Sequence, residues 1–96
     1  MRPTLARVRG GSMLPAYRDG DVCLALPLPR SFFGRGSVAL FDHPAYGLLI
    51  KRVNARDALG IRVNGDNPRH DAGPDLGTIP WSQVRGRVVL RLAAKA

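Results

Sequence analysis

Apolar and polar residues alternate in short runs along this chain, and turn-forming residues interrupt them often. LARVR (5–9) alternates, DVCLALPL (21–28) is an apolar run stopped by Pro27 and Pro29, and SVALFDH (37–43) follows the turn-like FGRG. GLLIKRVNA (47–55) is apolar and partly β-branched, and GIRVNGD (60–66) is short and alternating. VRGRVVLRL (84–92) is expected to put Val84, Val88, Leu90 and Leu92 on one face. Period-two patterning at such spacing predicts strands. Leu14–Arg18 and Trp81–Val84 have room for a single helical turn each. The expected fold is mainly β: a small, partly open barrel with long loops and little helix. The longest stretch without a regular pattern is NPRHDAGPDLGTIPWS (67–82).

Composition narrows this reading. Ninety-six residues suit one domain, here a single β domain over 1–96 with neither a membrane anchor nor an inserted second domain. The net charge of +8 raises nucleic acid as a partner. The cations are almost all arginine, scattered without a block, and few aromatics lie between them, so no stable nucleic-acid partner is expected. The single cysteine, Cys23, excludes an internal disulfide and fits a small core residue in a reducing compartment. The longest apolar run, Val22–Leu28, falls far short of the about 20 residues of a membrane span. The expectation is a soluble, cytoplasmic protein.

Candidate chemistry begins at GGSMLPAYRDGD (10–21). Gly10 and Gly11 let the backbone turn sharply before Ser12, so the hydroxyl and the N–H of Ser12 can both face a ligand. On that segment alone, Ser12 is equally a serine bonded to its own turn. Lys51 adds a base. It is one of two lysines in an arginine-rich chain, and it sits among Leu48, Leu49, Ile50 and Val53. Arginine does not deprotonate in proteins, whereas a lysine among apolar groups loses hydration of its charged form and its pKa falls. Such a lysine can take a serine proton, the logic of a Ser/Lys dyad. Asn64-Gly65-Asp66-Asn67-Pro68 then reads as a tight turn at a strand end.

GGSMLP around Ser12, GD at Gly20–Asp21, LIKRV around Lys51 and NGDNP at Asn64–Pro68 stand in the order of the signal peptidase I family of serine proteases. The chain resembles that family over nearly its whole length, and GTIPWSQVRGRVV is similar to the family's closing segment. HPAYGLLIKRV followed by GDNP looks like the short soluble members that mature nickel-type superoxide dismutases. The resemblance implies a serine endopeptidase that removes an N-terminal leader, presented as an extended peptide, with no cofactor and no metal. By the same resemblance, Ser12 is the nucleophile, its N–H an oxyanion donor, and Lys51 the general base. Gly10, Gly11, Met13 and Pro15 shape the nucleophile turn, and Asp66 and Asn67 form the supporting turn. Where the family carries a Ser-x-Asp-Ser-Arg-like run, this chain reads HDAGPDLG, which leaves Asp71 or Asp75 to orient the lysine.

Other constellations are open at this level. A Ser/His/Asp triad needs His43 or His70 brought to Ser12, and a Cys23/His43/His70 metal site lacks paired ligand spacing. A self-cleaving repressor-type protease shares the Ser/Lys logic. A catalytically inactive β module that binds peptide or nucleic acid is the reading from a different class.

Overall fold

The computed structural model describes residues 2–67 and 75–93. Seven strands run in chain order: β1 (Thr4–Arg7), β2 (Val22–Leu26), β3 (Val38–His43), β4 (Gly47–Arg56), β5 (Gly60–Asn64), β6 (Ile79–Pro80) and β7 (Val84–Leu92). They form one antiparallel sheet in the order β1-β2-β7-β3-β4-β5-β6. The fold is therefore mainly β and partly open, as expected. Single 3-10 turns at Arg30–Phe32 and Trp81–Gln83 are its only regular helix among the described residues. No helix among them is long and apolar enough to cross a membrane.

The central strand β3 explains the continuous run Val38–Phe41. Val38 and Leu40 enter one apolar cluster with Val8, Met13, Cys23, Ala25 and Val88. Ala39 and Phe41 enter a second with Phe33, Val53, Ile61, Ile79 and Val84. Alternate residues of a strand face opposite sides, so β3 carries core on both faces, which removes any need for polar positions between. Cys23 lies in the first cluster, and burial pushes its thiol pKa up.

Two expectations are corrected. Val84 and Val88 do not share a face: Val84 belongs to the second cluster and Val88 to the first. The cause is a bulge. Phe41 pairs with Val84 but Leu40 with Gly86, so Arg85 is an extra residue that shifts the phase. A second register shift, between Leu24–Leu90 and Ala25–Val88, leaves Leu90 and Leu92 exposed. The 67–82 stretch is also not wholly irregular, because Ile79–Pro80 pairs with Gly60–Ile61.

Asp21 is fully buried where β2 begins. Its carboxylate accepts from the Arg18 N–H (2.9 Å) and from Arg91 Nη1 (3.1 Å), closing the 8–21 loop onto β7. Asp21→Ala is expected to cost about 1–3 kcal/mol, the range for stranding a buried donor. Thermal denaturation checks this, and an unchanged midpoint would contradict the role given to the carboxylate.

Candidate functional site

The Ser12 turn is built from short-range contacts. Gly10 adopts φ +76°, a left-handed conformation that favours glycine, and its N–H donates to Asp19 Oδ1 (2.8 Å). The Leu14 N–H donates to Gly11 O (3.2 Å), and the Tyr17 N–H donates to Met13 O (2.9 Å), closing one turn. The Leu14–Pro15 peptide is cis, and Pro15 is exposed. Met13 is the anchor: it is buried in the first cluster, so the turn hangs from the core by the residue after Ser12.

The Gly65–Asn67 segment holds the other side. The Asn67 N–H donates to Ser12 O (2.8 Å), and Asn67 Nδ2 donates to Gly11 O (2.8 Å). Gly65 touches Ser12 so closely that a Cβ on it would lie 2.6 Å from Ser12 O and 3.4 Å from Ser12 Cβ. These contacts bring together two segments more than fifty residues apart. Among the described residues, neither the Ser12 N–H nor its hydroxyl is engaged in a hydrogen bond.

Lys51 lies next to this junction. The β4–β5 ladder ends at the Arg52–Asn64 pair, and Gly65 follows Asn64, so the junction lies at the end of that ladder, one residue along the chain from Lys51. Lys51 pairs with Ala39, on the face of the second cluster. It is half-buried, and desolvation alone lowers its pKa from the ordinary value of 10.5. No Ser12–Lys51 hydrogen bond is formed in the structure, and catalytic hydrogen bonds often tighten only once substrate is bound.

Neighbouring Arg52 points to the opposite face and does a different job. Its Nε and Nη2 grip Asp66 (3.1 and 2.6 Å), while Nη1 donates to Gly36 O (2.9 Å). The bidentate pair ties the supporting turn to β4. Asp66 therefore holds Arg52 rather than Lys51. Of the two lysine orienters proposed from sequence, Asp75 accepts from the Gly77 N–H (2.9 Å) and pairs with no cation among the described residues, and Asp71 lies outside the described residues, as does His70. Arg52 is a residue of this junction to which the sequence analysis assigns no role. The signal was its phase, one residue off Lys51, together with an acid at the end of the neighbouring strand.

His43 is committed elsewhere: its Nδ1 accepts from the Ala45 N–H (3.0 Å) and its ring stacks on Tyr46. No group of three or more metal-ligating side chains occurs among the described residues.

The strand edges complete the site. β4 pairs with β3 from Gly47 to Arg52, but with β5 only from Arg52 to Arg56. Among the described residues, Gly47–Ile50 therefore has a ladder on one side only, and that edge leads along β4 to Lys51. A scan against protein-family models and a search of curated proteins give no match.

The desolvated lysine has a measurable consequence for stability. The folded chain protonates Lys51 less readily than the unfolded chain does. The favourable contribution of its neutral form is fully present above the ordinary lysine value and is lost as pH falls through the lowered folded value. Lys51→Met is thus expected to raise stability at neutral pH and to flatten the rise in that alkaline window. Denaturant midpoints across the window check it, and an unchanged slope would contradict the desolvation.

Proposed function

We propose that this protein is a serine endopeptidase with a Ser12/Lys51 dyad that removes an N-terminal leader from a precursor, a nickel-type superoxide dismutase being the favoured substrate. The observation that carries the reading is the docking of the Ser12 turn on Gly65–Asn67, directly after the Arg52–Asn64 pair, together with burial that disfavours the charged form of Lys51, the chain neighbour of Arg52. The resemblance of the four sequence segments to signal peptidase I proteases supports the leader-removing activity.

In the proposed reaction, an extended leader adds to the free Gly47–Ile50 edge of β4. Ser12 Oγ attacks the scissile carbonyl while neutral Lys51 takes the hydroxyl proton. The Ser12 N–H donates to the developing oxyanion. Lys51 passes its proton to the leaving amine as the C–N bond breaks. Water, deprotonated by the same lysine, then releases the leader and restores Ser12. No group of this scheme requires a metal or cofactor.

The test is incubation of a leader-bearing superoxide dismutase precursor with the protein, followed by sequencing of the new N-terminus. A single cut at the end of the leader supports the reading. An intact precursor that nevertheless binds favours the inactive β module, consistent with a lysine that has no carboxylate partner among the described residues.

A further inference from the structure

A cleft with a volume of about 410 Å³ opens where β2 leaves the sheet and β7 enters it. That volume falls within the range of ligand sites, about 300–1,000 Å³. Leu28, Phe33, Trp81 and Val84 make its apolar wall, and Arg30 and Arg85 are its exposed cations. Among the described residues, no carboxylate lines it.

The aromatic wall is fixed in place. Trp81 Nε1 donates to Asp57 O (2.9 Å), and its ring meets Phe33 edge-on at 5.6 Å between centroids. The Arg30 guanidinium lies 5.1 Å from the Trp81 ring centroid and has no carboxylate partner among the described residues. Arg85 pairs with Asp42, outside the cleft. The net field at the opening is therefore positive, above a rigid aromatic surface.

The floor is a strand segment without a partner on one side. The β2–β7 ladder ends at Leu26–Arg87, so Val84–Gly86 pairs with β3 alone, and Arg85 is its bulged residue. The Val84 N–H donates to Trp81 O, and a strand end with a ladder on one side only, beside an apolar wall, suits an extended chain better than a small molecule. Val84 pairs with Phe41, two residues along β3 from the Ala39–Lys51 pair and on the same face.

We infer that this cleft binds a short acidic peptide segment carrying an aromatic residue, its ring against Trp81 and its carboxylate on Arg30. The inference does not rest on the protease reading, since it uses neither Ser12 nor Lys51.

Trp81 is the only tryptophan of the chain, so its fluorescence reports this cleft directly. The probes are acetyl-Phe-Asp-Asp-amide, acetyl-Phe-Lys-Lys-amide and N-acetylphenylalanine, titrated into the full chain. The acidic peptide is expected to shift the emission saturably and to bind at least tenfold more tightly than the basic one, less so as salt is added. Arg30→Gln, on an exposed turn, is expected to weaken it about tenfold or more, the loss of one charge-assisted hydrogen bond. Ser12→Ala is expected to leave the titration unchanged, which separates this site from the catalytic one. Equal binding of the two peptides, wild-type affinity in Arg30→Gln, or no saturable shift would overturn the inference. N-acetylphenylalanine binding as tightly as the acidic peptide would also overturn it, making the cleft a site for small aromatic acids.

Discussion

Lys51→Met is expected to lower leader cleavage by about 10²–10⁴-fold, the usual contribution of a positioned general base. The same change removes a feature of the pH profile. In the wild type, cleavage should rise with pH as Lys51 loses its proton, at a value below that of an ordinary lysine because burial disfavours the ammonium. In the variant that limb should vanish. Lys51→Arg should be as inactive as the methionine variant, since guanidinium keeps its proton. Ser12→Ala should abolish the reaction to at least the same extent, and the double variant should be little worse than either single one, because the two residues act as a unit. Initial rates on a leader-bearing precursor measure all four. Cleavage that survives Ser12→Ala would remove the serine from the mechanism.

Gly65→Ala should be almost as damaging, although residue 65 does no chemistry. A methyl group there would meet Ser12 O at 2.6 Å, closer than real Cβ contacts allow. Both partners are backbone or nearly so, and neither can swing aside. The Ser12 turn must move off its support, breaking the Asn67 bonds to Ser12 and Gly11. Misplacing a reacting group by about 1 Å can cost about 10²-fold, and that loss is expected in the cleavage rate. Overpacking of this kind costs about 1–3 kcal/mol, so the fold should survive with a lowered melting temperature. An active Gly65→Ala protein would show that the turn tolerates displacement and that its docking is not what positions Ser12.

The fold class was readable from period-two patterning, and VRGRVVLRL matches the limits of β7. The arrangement of its side chains was not readable. Two bulges shift the strand's phase, and bulges arise from how neighbouring strands cross, which the 84–92 segment does not encode. The short pair between Ile79–Pro80 and Gly60–Ile61 was missed for a related reason, since two residues are too few to show a period. At the candidate site, the 10–12 turn docks on 65–67, the segment to which the resemblance assigns a supporting turn. Asp66, however, works through Arg52, a pairing that depends on β4–β5 register and not on spacing within either segment.

Adjacent positions 51 and 52 carry formally the same charge, yet the pleat of β4 turns them into different chemical species. One faces apolar surroundings that favour giving up its proton; the other faces a carboxylate that holds its proton fast. A strand thus sorts two cations by parity alone, keeping a desolvated amine and a scaffold clamp on adjacent residues without interference. It follows that a single-residue insertion ahead of Lys51 would leave composition and net charge essentially intact while delivering each cation to the wrong side of the sheet.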